Sequence, residues 1–399
     1  LLCGRASGEI VSLTTADDLT AVRAAATAFA VTAYTQADKG DSNFVFSPFS
    51  ISIGLGIAYG GAHGETEKEL ATAMQTALGQ SRYHAAFADL RGKINASLKT
   101  SRVNLRSAKI VACQTNYPLQ ESFVSLARNS YGGEIAFFDF QHGPSVAVQQ
   151  LNTWIGEQTH GRITGLVPAT AISADTRLAI LTALYFKADW AGLFDAKQTK
   201  SRPFWISEKT STGVSTMYQK EKLAYGETPS AQVLELPYKG FSVSMLIVLP
   251  TEKGGLKALE SKLSTADIVS WVTSLAPADK YEVETYLPRF ELETDMDITQ
   301  VLCAMGAPRM FSPTEADFSG MSSQTPLFIS TALHKAGIKV DETGTEARAA
   351  TGYFTTLGGE FEIPPTKIFR ADHPFLFCII DKTNGVILFM GRVMNPNEK

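Results

Sequence analysis

The 399-residue chain lacks the signatures of common hydrolases and nucleotide-binding enzymes. It has no G-x-S-x-G elbow, no H-E-x-x-H pair and no P-loop. Its six histidines, His63, His84, His142, His160, His334 and His373, never stand at helical spacing from one another. Gly54, Gly56 and Gly60 approach a dinucleotide fingerprint but miss its spacing, and small residues there suit close packing of a helix instead. Cysteine is scarce. Cys3, Cys113, Cys303 and Cys378 form no C-x-x-C pair, which argues against a zinc ribbon or a redox motif. Cys113 and Cys378 lie among apolar neighbours, as buried single thiols would. No run of about 18 apolar residues occurs, so no membrane-spanning helix is expected. Only 19% of residues are charged and the net charge is −4, which leaves no dominant positive field for nucleic acid or an anionic membrane. Low-complexity linkers, internal repeats and breaks in composition are missing too. These absences point away from an enzyme, a metal site or a cofactor.

What is present is core. Hydrophobic residues make up 44% of the chain. The spacing of Val22, Ala26, Phe29, Ala30 and Ala33 predicts a helix over Leu19–Gln36. Ser47-Pro48 opens a second helix, with proline in its first turn, and Gly60-Gly61-Ala62-His63-Gly64 ends it before a third. Strands follow. Lys109–Cys113 is one, and the long apolar run Thr176–Phe186 predicts a buried central strand. Val233–Leu236 and Phe241–Leu249 flank the turn Pro237-Tyr238-Lys239-Gly240 as a hairpin. A last hairpin pairs residues 375–380 with 386–394 around Asn384-Gly385, a dipeptide that favours positive φ. Helices come mostly first and strands mostly later, so the expected class is α+β. Residues 1–18 read as a tail, the remnant of a signal peptide or linker, with Cys3 in a poor lipoprotein site. Residues 19–399 read as one domain.

The stretch Phe369-Arg370-Ala371-Asp372-His373-Pro374-Phe375-Leu376-Phe377-Cys378-Ile379 resembles the C-terminal signature of the serpin family and matches it at every position. Other matches extend over roughly residues 20–396. Asn43–Ser50 looks like the family's second-helix entry. Leu151–Ile155 and Thr159–Ile163 resemble its helix F region, and Ala183–Trp190 the strand leading to its breach. Leu234–Tyr238 and Leu287-Pro288-Arg289-Phe290 are similar too, and Ile387–Pro396 looks more like prokaryotic members than vertebrate ones. The resemblance implies three β-sheets, about nine helices and an exposed reactive loop, here about residues 342–363. It implies a suicide substrate: a serine protease, or a cysteine protease, cuts the loop, and the cut loop enters the large sheet as an added strand, carrying the acylated enzyme with it. It also implies a monomer that is secreted, or lodged in the cell envelope of a prokaryote.

Residues 341–351 resemble the inhibitory hinge, with Glu342 and Gly344 matching its pattern. Strand periodicity would place Thr345, Ala347, Ala349, Thr351, Tyr353, Thr355 and Leu357 on one face, which begins small and uncharged, and Glu346, Arg348, Ala350, Gly352 and Phe354 on the other. Arg348 replaces the family's usual alanine, but on the face that stays in water. Family spacing puts the cut near Gly358-Gly359, and Leu357-Gly358 offers a side chain one residue earlier. The bonds flanking Phe361 are further alternatives. No Lys or Arg lies between Thr351 and Ile363, so elastase-, chymotrypsin- or subtilisin-like proteases fit better than trypsin. By position, Ser47, Ser50, Thr182 and His334 would form the polar network that keeps the family's central sheet closed, and Trp190 and Glu342 would sit at the breach. The family usually has Asn where this chain has Thr182. A hydroxyl offers fewer bonds, so either the sheet opens more easily or another group compensates. The rival reading is a non-inhibitory relative, a carrier, chaperone or storage protein that is merely cleaved. Lys93, Lys99, Arg102, Arg106 and Lys109 read as a solvated face rather than a polyanion site, and Asn95-Ala96-Ser97 is a sequon that matters only in a eukaryotic secretory host.

Overall fold

A computed structural model describes residues 14–37, 39–324, 327–342 and 365–398. Among them are nine α-helices: Ala16–Gln36 (α1), Pro48–Gly61 (α2), Gly64–Ala73 (α3), Gln80–Thr100 (α4), Glu121–Leu126 (α5), Pro144–Gln158 (α6), Leu256–Glu260 (α7), Thr265–Ser274 (α8) and Thr299–Ala304 (α9). Fifteen strands form three sheets. The five-stranded sheet contains Asn104–Gln114 (β2), Glu134–Phe138 (β3), Leu178–Lys187 (β4), Phe290–Asp297 (β11) and Ile329–Val340 (β12), in the order β11-β12-β4-β2-β3. The six-stranded sheet contains Phe44–Phe46 (β1), Tyr225–Glu227 (β7), Ala231–Pro237 (β8), Val243–Pro250 (β9), Phe375–Asp381 (β14) and Val386–Val393 (β15), in the order β1-β15-β14-β9-β8-β7. Lys200–Trp205 (β5), Ser211–Lys222 (β6), Glu282–Pro288 (β10) and Thr366–Arg370 (β13) make the third, ordered β13-β10-β6-β5. The arrangement is the α+β fold with three sheets.

The apolar run at 176–186 becomes β4 because both of its faces are covered. Ile180, Leu184 and Phe186 enter the main core, while Ala179, Leu181, Ala183 and Tyr185 join a second cluster with Leu151 and Ile155 of α6. A strand buried on both sides has no polar alternation to show.

Helix α2 begins as its sequence implies. Ser47 is the N-cap, its Oγ accepting from the Ser50 N–H, with Pro48 in the first turn. The helix then crosses the five-stranded sheet so closely that a Cβ on Gly54 would collide with Ile180 of β4, and one on Gly56 would collide with Tyr131, which precedes β3. Helix α1 starts three residues before the expected Leu19, because Thr15 and Asp18 form a reciprocal capping box.

Two expectations are corrected. In the 381–386 turn only the glycine takes positive φ, +67° at Gly385. Asn384 instead turns its amide inward, donating to Asp381 Oδ2 at 2.8 Å and to Ser97 Oγ at 3.1 Å. Lys109 is not on a solvated face. It lies on the same side of β2 as Val111 and Cys113, toward the main core, in register with Thr182. Burial, then the Arg91 guanidinium, lower its ammonium pKa to about 8.

Candidate functional site

The centre of the five-stranded sheet holds an unusual seam. Strands β12 and β4 are direct neighbours and run parallel, paired from Ile329↔Leu178 to Ile338↔Phe186. Each is antiparallel to its other neighbour, β11 and β2. A strand placed between β12 and β4, running opposite to both, would replace one parallel ladder with two antiparallel ones. Parallel pairing is slightly the weaker per residue.

Polar residues sit at mid-seam, where an apolar core would otherwise continue. His334 is fully buried, and in register with Thr182. Its Nε2 accepts the backbone N–H of Ser47 at 3.0 Å. In the neutral ring the proton is therefore on Nδ1, which lies 2.9 Å from Thr182 Oγ1 and donates to it. Ser47 Oγ donates to the Leu388 carbonyl of β15 at 2.7 Å. One histidine thus ties together both seam strands and the start of α2, and α2 is tied in turn to the second sheet. Burial lowers the His334 pKa to about 3, so the ring is neutral at physiological pH. Ser50 is also fully buried, but its Oγ has no partner among the described residues. The hydroxyl of Thr182 does not satisfy it.

At the head of the seam, β12 is held by two clasps. Trp190 Nε1 donates to the Asp341 carbonyl at 2.9 Å, and its indole stacks on Tyr238 with centroids 4.5 Å apart. Glu342, only 4% exposed, accepts from Arg289 Nε at 2.7 and 2.8 Å and from the Thr199 hydroxyl. The tetrapeptide Leu287-Pro288-Arg289-Phe290 is visible in the sequence, but the role of its arginine is not. Glu342 and Arg289 are 53 positions apart and meet only through the β10–β11 corner.

The remaining anticipated residues divide. Gly344, Thr345, Ala347, Ala349, Ala350, Thr351, Leu357, Gly358 and Gly359 lie outside the described residues. Asp372, His373, Pro374 and Phe375 join β13 to β14. His373 Nδ1 lies 2.9 Å from Asp372 Oδ1, and its Nε2 lies 2.8 Å from the Pro250 carbonyl. Phe375 packs against Phe290 near the head of the seam. The structure therefore brings Ser47, Ser50, Thr182 and His334 into one cluster and Trp190 and Glu342 into another. Among the described residues, no helix is long and apolar enough to cross a membrane.

A family model described as "Serpin (serine protease inhibitor)" matches residues 24–396. A serpin-like protein of the archaeon Methanosarcina acetivorans is 36% identical over 369 residues, covering 92% of this chain and 85% of its own length. The leukocyte elastase inhibitor of Bos taurus is also 36% identical, covering 89% of this chain and 93% of its own. Among solved structures, native protease nexin-1 with heparin superposes with a TM-score of 0.82 at 29% identity, over 95% of this chain and all of that one.

Proposed function

Because the chain belongs to the serpin family, we propose that it inhibits serine proteases as a suicide substrate. The protease serine attacks the carbonyl of the residue before the cut. An ester bond forms, the peptide C–N bond breaks, and the new amine leaves with a proton. The freed segment then enters the seam before water reaches the ester. The observation that carries this reading is the seam itself. Two parallel strands lie side by side at the sheet centre, and the chain leaves β12 after Val340 and enters the third sheet at β13. Folding back from β12, the segment would run antiparallel to both seam strands.

Magnitudes favour insertion. About a dozen residues gain a ladder on each side, which at roughly 1 kcal/mol net per hydrogen bond is on the order of 10 kcal/mol. A strand of residues 345–357 spans roughly 43 Å at about 3.3 Å per residue, enough to carry a tethered enzyme from one end of the sheet toward the other. Small residues at Thr345, Ala347, Ala349 and Thr351 suit the face that must slide over packed side chains. Leu357 at the cut favours elastase-, chymotrypsin- or subtilisin-like enzymes. The test is a denaturing gel of the chain mixed with chymotrypsin, subtilisin, neutrophil elastase and trypsin. The reading expects an SDS-resistant complex with at least one of the first three and little or none with trypsin. Simple cleavage by all of them would replace it with the carrier or storage reading.

A further inference from the structure

The third sheet carries two cations with no part in the seam, an exposed Arg370 and a half-buried Arg202. Tyr286 of β10 stands in register with Arg370 of β13 on one side and with Tyr218 of β6 on the other. The Arg370 guanidinium carbon lies 4.9 Å from the Tyr286 ring centroid. That of Arg202, from the opposite edge strand β5, lies 4.8 Å away. The Tyr218 ring is 5.0 Å from that of Tyr286. One tyrosine therefore holds two like charges close together.

Neighbouring lysines on this sheet have counter-ions. Lys220 pairs with Glu282 at 3.0 Å, and Lys367 with Glu227 at 3.1 Å. Among the described residues, neither Arg202 nor Arg370 has an ion pair or a side-chain hydrogen bond, and Arg202 Nε is buried without a partner. A cation over a ring draws on the ring's quadrupole, worth about 0.5–1 kcal/mol at an exposed site, and uses none of the guanidinium's N–H donors. The donors of the exposed Arg370 and the terminal Nη donors of the half-buried Arg202 thus remain for an anion with planar, paired oxygens, which a carboxylate supplies. Arginine and tyrosine are also the residues that anchor protein interfaces.

We propose that Arg202, Tyr286 and Arg370 form a docking site for an acidic side chain on the protease that cuts the 343–364 segment. This rests on the inhibitor reading above. The occupant follows from position. Strand β13 begins at Thr366, just after that segment, and Arg370 ends it, roughly 13 Å further on at about 3.3 Å per residue. A cut at residues 357–361 lies at most about 29 Å of extended chain from Pro365. A globular enzyme of about 250 residues has a radius of gyration of about 18 Å and so measures about 46 Å across, which puts Arg370, at most about 42 Å of chain from the cut, within its reach.

The experiment compares the wild type with Arg202→Ala/Arg370→Ala and with Arg202→Lys/Arg370→Lys. The readout is the second-order rate of loop cleavage by chymotrypsin, subtilisin and neutrophil elastase at about 0.01 M and about 0.1 M ionic strength, where the Debye length falls from about 30 to about 10 Å. With the fastest-reacting enzyme, the alanine pair should react about tenfold more slowly at low salt, and the gap should shrink at the higher salt. The lysine pair, which keeps both charges, should retain most of the rate. The cut position should match wild type in both, and the alanine pair, which loses two cation–ring contacts, should melt no more than a few degrees lower. A low-salt rate within twofold of wild type for the alanine pair overturns the proposal, as does an equal loss in the lysine pair. Because the rate is that of cleavage, it is read whether or not the enzyme is trapped, so a failure of the inhibitor reading shows separately on the denaturing gel.

Discussion

Nδ1 of His334 lies 2.9 Å from Oγ1 of Thr182, a side-chain hydrogen bond across the seam between β12 and β4. Nearby, the buried Ser50 hydroxyl has no partner among the described residues. An asparagine at 182 would keep an acceptor for His334 and add an N–H₂ donor to the cluster that Ser50 shares with Ser47 and His334. Satisfying one buried hydroxyl is worth about 1 kcal/mol. Thr182→Asn should therefore raise the melting temperature of the intact chain by about 2 °C, the lower end of what such a gain produces in smaller domains. A tighter seam should also open more slowly, so that more of the chain is consumed as plain substrate per enzyme trapped. A melting scan and a titration of inhibitor against protease read both effects. An unchanged or lower melting temperature would show that Thr182 is already the better partner.

Two buried histidines give stability a pH dependence. Burial lowers the His334 pKa to about 3 and that of His84 to about 4, both below the ordinary value of 6.5. Below pH 6.5 the unfolded chain binds protons that these folded sites refuse. Stability is therefore fully present above pH 6.5 and falls as the pH drops, toward about 4 for His84 and about 3 for His334, by about 1.4 kcal/mol per pH unit for each site, or about 2 kcal/mol each at pH 5. His334→Gln should melt lower at pH 8 yet lose less between pH 6.5 and 4. Denaturant unfolding across that range measures the slope, and parallel profiles for the two proteins would contradict the assignment.

The clasp at Glu342 should respond unequally to loss of its two partners. The carboxylate is 4% exposed, whereas the Arg289 side chain is 46% exposed. Glu342→Gln leaves a guanidinium that water can solvate. Arg289→Ala leaves a buried carboxylate with the Thr199 hydroxyl but without its cation, the costlier state. The first change should cost about 1 kcal/mol and the second clearly more. Unfolding of both variants decides, and the reverse order would mean that the ion pair does not anchor the head of the seam.

On the inserting face, Ala349→Glu should turn the inhibitor into a substrate, because an unpaired carboxylate would have to enter the sheet. Arg348→Glu, on the wet face, should be mild. The fraction of loop cuts that end in a covalent complex measures this, and equal losses would overturn the face assignment.

Much of this architecture is legible in the chain because it rests on local patterns. The run at β4 is apolar throughout since both its faces are covered, and Ser47-Pro48 starts a helix by supplying a cap and a fixed φ. What escapes is whatever depends on distant partners. Lys109 looks like one more charge among polar residues, yet register with Thr182 turns it inward. Asn384 reads as a turn residue, but Ser97 and Asp381 hold its side chain. Arg289 lies in a recognisable tetrapeptide that says nothing of Glu342. The Arg202–Tyr286–Arg370 row exists only because three strands far apart in sequence share one sheet face. The cluster of Ser47, Ser50, Thr182 and His334 was anticipated by resemblance alone.

The central claim is that cutting the loop lets the chain reach a more stable state. In an ordinary protein, a nick in a surface segment leaves stability unchanged or lowers it. Here a cut between Leu357 and Phe361 should free residues 345–357 to part β12 from β4 and pair with both, with hydrogen bonding alone contributing on the order of 10 kcal/mol. Melting scans of the intact chain and of the chain cut once in that window, with the single cut confirmed by mass, measure this directly. The account predicts that the cut chain melts many degrees higher. A cut chain that melts at or below the intact one would contradict it.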